Sequence, residues 1–502
     1  MIGKHSDYLF PKARLSDALV ADLRRMNPWW EGKPGKQLPA TRRHLVGQIL
    51  SRLEKRIAPI VVVRGPRQVG KTTAQLQLIE QLLAEGYRPI NILRVQCDEL
   101  PGLMNLPEPI LQMVTWFESA ILGKTLNEAA QAKEPTLLVF DEVQNLAEWA
   151  AQLKHLVDHT TTQVLVTGSS ALRIEQGRDS LAGRISTLES GTLSLTEIAH
   201  FRGLGEIKPF LPDNGLGVML RREFWEELNA FGRANAEIRD ASFAAFSERG
   251  GYPLCHERPN LEWPLLADQL NETVIKRVIQ HDLRVGEKGR KRDQTLLEEL
   301  FRLCCRYVGQ APDIQTLVRE LQRSLNANVG SARVRSYLKF LGDTLLLRVI
   351  EPMEIRLKKK RGAPKICLAD HGLRASWLQE VVPLESTQLN RQEHLSTLAG
   401  HIAESVVGSV LVSIHGLDVA HFPARSGEPE VDFVLTVGTT RIPLEVKYRR
   451  NIDAFQDTEG MRAFLEKTVN NAPFGLLVTQ SEVSIPDPRI IPIPLSTLLL
   501  LR

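Results

Sequence analysis

An α/β fold built on a doubly wound parallel sheet is the class this chain predicts for its N-terminal region, and three observations carry it. A short apolar run, Ile60 to Val63, leads into a glycine-bounded loop and then a helix-periodic stretch. A second run, Leu137 to Phe140, ends in Asp141 and Glu142. Strand-like segments near residues 60, 92, 138, 165 and 188 alternate with helical ones. Continuous apolar runs of this kind suit strands buried on both faces of a parallel sheet.

The first element is "IVVVRGPRQVGKTTAQLQLIEQLLAEG", residues 60 to 86. The loop runs from Gly65 to Gly70, and Leu76, Ile79, Leu82 and Leu83 mark the apolar face of a helix that Gly86 stops. This is GxxxxGKT between a strand and a helix, the context the motif requires. The bare pattern arises by chance in about one or two per cent of chains this long. Gly65, Pro66, Arg67, Gln68, Val69, Gly70, Lys71, Thr72 and Thr73 are therefore the expected phosphate cradle for ATP. Backbone N–H groups and the helix N-terminus would surround the phosphates, and the glycines allow that approach. Lys71 would reach the β and γ phosphates, and Thr72 would hold Mg²⁺.

The second element, "PTLLVFDEVQNLAEW", supplies an acidic strand end. Asp141 is placed to support Mg²⁺ through water, and Glu142 to polarise the attacking water as a general base. A strand followed by two acids is common alone and gains meaning downstream of such a loop. In the third, "QVLVTGSSA", Thr167, Ser169 and Ser170 could sense the γ-phosphate or position water. Arg184, before the last strand, could neutralise transition-state charge in its own or a neighbouring subunit. A surface salt bridge accounts for it equally well.

The segments "NPWWEGK", "RGPRQVGKTT", "LLVFDEVQ", "VTGSSA", "DSLAGR" and "GGYP" resemble, in this order, the landmarks of prokaryotic AAA-type ATPases that carry a C-terminal domain of unknown function. "EVDFVL" and "IPLEVK" continue the likeness toward the C-terminus. The resemblance implies an ATPase core, a helical lid, a winged-helix-like segment and a restriction-endonuclease-like α/β domain. The expected layout is an N-terminal extension over residues 1–45, the core over 46–205, the lid over 206–290, the winged segment over 291–362 and the endonuclease-like domain over 363–502.

Beyond the core the pattern is mainly helical up to "GSARVRSYLKFLGDTLLLRVIEP", where a helix from Ala332 to Leu341 precedes a strand. That order suits a winged helix-turn-helix. Arg333, Arg335, Ser336 and Lys339 would face outward, and the basic runs "EKGRKRDQ" and "RLKKKRG" flank the segment. Together they could track the phosphate backbone of duplex DNA. A solvated face that only joins two domains is the plainer reading.

The last element is "GEPEVDFVLTVGTTRIPLEVKYRR", residues 427 to 450. Val431 to Leu435 and Ile442 to Lys447 read as strands around Gly438, Thr439 and Thr440. Strand side chains alternate, so Glu445 and Lys447 share a face, and Asp432 can join them from the neighbouring strand. Two carboxylates can bind a divalent metal for DNA cleavage, with the lysine neutralising charge. The tripeptide ExK is uninformative alone: it occurs three times, at Glu31, Glu206 and Glu445, about the chance number. Glu404 is a further metal ligand only as the resemblance implies.

A chain of 502 residues is expected to form several domains. Its composition, 43% hydrophobic and 24% charged, is that of a globular protein rather than a disordered or fibrous one. Five cysteines lack CxxC spacing, which predicts reduced thiols in the cytoplasm. No apolar leader and no uninterrupted apolar run of about 18 residues predict that no membrane is involved. A net charge of +4 says little about partners. The expected activity is ATP hydrolysis coupled to a nuclease-like domain directed at DNA, with assembly into homo-oligomers as a further expectation. The alternative is a nucleotide-dependent switch that binds DNA or protein without cutting.

Overall fold

The computed structural model describes residues 15–168, 179–211, 215–281, 293–354, 362–424 and 429–502. The chain forms two compact units, one of Met1–Pro66 with Gly70–Ser190 and one of Arg67–Val69 with Gly191–Arg502.

In the first unit the five expected strands all form. They are β1 (Ile60–Arg64), β2 (Ile92–Gln96), β3 (Leu137–Asp141), β4 (Gln163–Gly168) and β5 (Ile185–Glu189), in the order β2-β3-β4-β1-β5. Every pairing is parallel. Alternate side chains feed two cores: Ile60, Val62, Leu138 and Phe140 enter one, and Val61, Val63, Leu137 and Val139 enter the other. Parallel strands end at one sheet edge, so the loop after β1 and the acids after β3 emerge together, with the end of β4 between them.

The edge strand β2 is covered rather than left open to pairing. Asn27 Nδ2 donates to Arg94 O, and Arg94 N donates back to Asn27 Oδ1, at 2.8 and 2.7 Å. The indoles of Trp29 and Trp30 both donate to Ile92 O. The "NPWWEGK" landmark therefore imitates a sixth strand and blocks an edge that could otherwise template aggregation.

The second unit begins with helices that include Arg222–Ala234 and Ala236–Arg249. Three more follow, Gln294–Arg306, Ile314–Leu325 and Ser331–Asp343, and then an antiparallel pair, β6 (Leu347–Ile350) with β7 (Lys365–Leu368). Arg333, Arg335, Ser336 and Lys339 do face outward from their helix. A mixed sheet closes the chain: β8 (Asp418–Phe422), β9 (Val431–Val437), β10 (Thr440–Lys447), β11 (Gly475–Thr479) and β12 (Ile490–Pro494), in the order β12-β11-β10-β9-β8. β8, β9 and β10 pair antiparallel, whereas β10, β11 and β12 run parallel. The β9–β10 turn is tighter than expected, because Gly438 takes a φ of 63° and Thr440 already belongs to β10.

The helix Ser396–Ser413 packs on β6, β7 and β10. Among the described residues, the segment Glu393–Ser413 is long and apolar enough by length and composition to cross a membrane, and half of it is buried inside the protein. Burial in a core gives it a use for its apolar surface.

Candidate nucleotide site and acidic cluster

The nucleotide site is built from three strand ends and one helix. Gln68 and Gly70 take left-handed backbone angles, φ 62° and 86°, which turn the chain from β1 into the helix Lys71–Ala84. Gly65 has no room for a side chain: a Cβ there would lie 2.3 Å from Ser190 O. The buried ammonium of Lys71 donates to Gly65 O and Pro66 O at 2.9 and 2.7 Å, curling the loop around itself. Thr72 and Thr73 open the helix, and Thr72 Oγ1 donates to Asp141 Oδ2 at 2.7 Å. Sequence motifs separated by 69 positions therefore meet at hydrogen-bond distance.

Asp141 is fully buried and densely held. Gln75 Nε2 donates to its Oδ1 at 3.2 Å and also to Thr167 Oγ1 at 2.7 Å, and Thr167 itself donates to Asp141. Arg94 on β2 lies 3.5 Å from Oδ2. Thr167, expected to sense the γ-phosphate or to position water, lies against Asp141 and Gln75. Glu142 follows in a left-handed conformation, φ 52°, and accepts a hydrogen bond from Gln144. Ser169 and Ser170 lie outside the described residues. Arg184 makes a two-pronged pair with Asp158, Nε to Oδ1 at 2.6 Å and Nη2 to Oδ2 at 3.0 Å, at a half-exposed position.

Gln75 and Arg94 escaped the sequence reading, although a signal existed for each. Gln75 lies three positions after Thr72 on the same helix face. Arg94 is the one charge inside the apolar strand "ILRVQ".

The second cluster lies between the helix Ser396–Ser413 and the closing sheet. Glu445 and Lys447 share a face of β10, as their spacing predicts, and pair at 3.3 Å. Asp432 on β9 sits beside them, its Oδ2 accepting from Val446 N at 2.9 Å. Glu404 joins from the helix. The unexpected member is Lys365, the first residue of β7. Its ammonium pairs with Glu404, with Asp432 Oδ1 at 3.1 Å and with Glu430 at 3.7 Å, and stands 5.0 Å from the Phe433 ring. Only 1% of Lys365 is exposed.

Charge and burial oppose each other here. Burial and the neighbouring Asp432 charge push Glu404 and Glu445 well above the ordinary carboxyl range. Burial would raise Asp432 too, but the Lys365 charge and hydrogen bonds hold it below that range. Burial likewise opposes a charged Lys365, yet Asp432 and Glu404 keep it protonated. Two ammonium groups thus already balance much of the carboxylate charge. Among the described residues no group of three or more His, Cys, Asp or Glu side chains is arranged to hold a metal ion. Glu404, Asp432 and Glu445 as placed do not fit a divalent metal: Lys365 stands between two of them, and both oxygens of Asp432 are engaged.

Residues 58–199 match the family model described as an AAA domain, residues 241–383 a domain of unknown function (DUF8612), and residues 399–498 a domain of unknown function (DUF4143). An uncharacterized protein of Methanocaldococcus jannaschii is 24% identical over 244 residues, which is 49% of this chain and 47% of that protein. The chain thus spans about half the length of this curated relative. Among solved structures, a Walker-type ATPase of Pyrococcus abyssi aligns over 68% of this chain and 99% of its own, at 14% identity and a TM-score of 0.37. Drosophila ORC bound to DNA aligns over 76% of this chain and 96% of its own, at 15% identity and a TM-score of 0.23. At these scores neither alignment bears on how this chain works.

Proposed function

We propose, from the AAA domain that residues 58–199 match, that the chain binds ATP and hydrolyses it between the loop after β1 and the acids after β3. The observation that carries this reading is the 2.7 Å contact between Thr72 Oγ1 and Asp141 Oδ2. A hydroxyl and a buried carboxylate side by side are the hard oxygen donors that Mg²⁺ takes, so these two residues would hold it. When bound with ATP, the ion supplies charge neutralisation on the phosphate oxygens.

The remaining roles belong to the chain. Lys71 exchanges its two loop carbonyls for phosphate oxygens, which opens the cradle as the nucleotide enters. Gln75, Thr167 and Arg94 keep Asp141 oriented, and Glu142 turns the attacking water and receives its proton. Lys71→Ala is expected to weaken ATP binding strongly. Glu142→Gln is expected to keep binding and slow turnover by about 10²-fold or more. Titration with labelled ATP, run beside a phosphate-release assay, separates the two, and equal loss of binding in both variants would overturn the assignment. The Asp158 pair supports a salt-bridge role for Arg184 over that of an arginine finger.

The C-terminal domain admits a pair of readings. Convergence of Glu404, Asp432, Glu445 and Lys447 around paired strands supports a restriction-endonuclease-like domain acting as an ATP-regulated nuclease on duplex DNA. Satisfaction of these acids by lysines supports the other: a switch that binds DNA or a partner without cutting. The three helices and the β6–β7 pair suit a winged helix, whose outward Arg335 and Lys339 line a cavity of about 1070 Å³; Lys339 also pairs with Asp343. The expected lysine-rich contact at residues 358–360 lies outside the described residues. A cleavage screen on duplex DNA with Mg²⁺ or Mn²⁺, with and without ATP, separates the readings. Five buried thiols, none in a disulfide, support a reducing cytoplasmic setting.

A further inference from the structure

We infer that Lys365 is the resident cation of the acidic cluster, seated where a divalent ion would have to bind, so that the cluster stays free of metal while Lys365 is in place. This deepens the nuclease-like reading of the same residues and rests on it only for the idea that a metal would otherwise belong there.

Three observations carry the inference. The first is geometric: one ammonium contacts carboxylates that arrive from two elements, Glu404 on the helix Ser396–Ser413 and Asp432 on β9. A metal bridging those two side chains would need the volume the Nζ atom now fills, and two cations cannot share it. Secondly, both oxygens of Asp432 and one oxygen of Glu445 are already engaged. Asp432 gives Oδ1 to Lys365 and Oδ2 to the backbone N–H of Val446, and Glu445 pairs with Lys447. The third is that Lys365 is held rather than merely near. Leu368 N, on the same strand, donates to Ser405 Oγ at 2.9 Å, and Gly408 lets the helix close on β7, where a Cβ would lie 2.7 Å from Cys367 Sγ. A lysine buried to this extent keeps its charge only beside carboxylates that offset its desolvation.

The lysine also comes from elsewhere in the chain. Glu404, Asp432, Glu445 and Lys447 fall within residues 399–498, whereas Lys365 falls within the separately matched residues 241–383. Its backbone belongs to the β6–β7 pair, directly after residues 355–361, which are not described. A segment outside the matched C-terminal domain thus neutralises the acids of that domain.

The test is Mn²⁺ binding by the nucleotide-free full chain, followed by electron paramagnetic resonance and by the shift in melting temperature. Wild type is expected to show no Mn²⁺ site that Asp432→Asn removes. Lys365→Ala is expected to gain one such site, binding Mn²⁺ at least about tenfold more tightly than wild type, and to lose it again when Asp432→Asn is added. Lys365→Met fills the same volume without charge and serves where the alanine variant does not fold. A wild-type Mn²⁺ site lost on Asp432→Asn overturns the inference, and so does a folded Lys365 variant that gains no site. If neither Lys365 variant folds, wild type alone decides, silence upholding the inference and an Asp432-dependent site overturning it. DNA cleavage assayed on the same samples keeps the questions apart: metal gained without cutting sinks the nuclease reading and upholds the role of Lys365.

Discussion

His256 shows how strongly one residue can be tied to its protonation state. It is 1% exposed. Its Nε2 bonds Gly250 O at 2.7 Å, while Arg202 Nε donates to its Nδ1 at 3.1 Å, so the ring must be neutral with the proton on Nε2. Burial, assisted by the Arg202 and Arg249 charges, holds its pKa down at about 4. The unfolded chain therefore binds more protons than the folded one between pH 6.5 and 4. The stability His256 supplies is complete above about pH 6.5 and is lost as pH falls toward 4, about 2 kcal/mol of it by pH 5. Urea unfolding at pH 7 and pH 5 checks this: His256→Gln is expected to shrink the difference, and His421, which burial also holds down at about 4, keeps part of it. At the nucleotide site, Gln75→Leu is expected to leave ATP affinity within about threefold and lower turnover by about 10- to 100-fold, because it frees Asp141 without touching the phosphates. Parallel binding and turnover measurements decide; a loss confined to binding would assign Gln75 to the phosphates instead.

At the scale of elements, glycine and asparagine do what larger apolar residues could not. Gly408 lies one turn beyond Glu404 on the same helix face, and its missing side chain is what lets β6, β7 and β9 approach: a Cβ would meet Cys367, Ile350 and Phe433 at 2.7, 2.9 and 3.0 Å. Gly408→Ala is expected to cost about 1–3 kcal/mol by overpacking, measured by thermal unfolding. Asn27 is the counterpart at the other end of the chain. Replacing it with alanine leaves a buried N–H and a buried carbonyl of Arg94 without their partner, an expected loss of about 1–3 kcal/mol, again read by unfolding. The "GGYP" landmark has a comparable structural use. Buried Asp370 accepts from Gly251 N and Gly372 N, and a Cβ on Gly250 would lie 2.1 Å from it. These landmarks are packing devices, distinct from the residues that would handle ATP.

For the whole molecule, two compact units make a single unfolding transition the wrong expectation. Calorimetry is expected to show two transitions, of which ATP with Mg²⁺ raises one by mass action on its folded state. Lys71→Ala should abolish that rise and leave the other transition where it was. A single transition that moves as one with ATP would show instead that the units unfold cooperatively.

What the sequence determined by itself was local and periodic. Apolar runs placed all five strands of the first sheet, the spacing of GxxxxGKT placed its loop between strand and helix, and alternation put Glu445 and Lys447 on one face, because each of these follows from a few bonded neighbours. It determined far less about which charges meet. Lys365 and Glu404 are 39 positions apart, Lys365 and Asp432 67, and Gln75 and Asp141 66. Only the tertiary structure decided those pairings, since a buried charge selects its partner by position in space and desolvation makes that choice costly to miss. Asp432, Glu445 and Lys447 read in sequence either as a metal site or as an ion pair of Glu445 with Lys447; folding adds a second lysine, Lys365, against Asp432 and Glu404, which no local pattern announced.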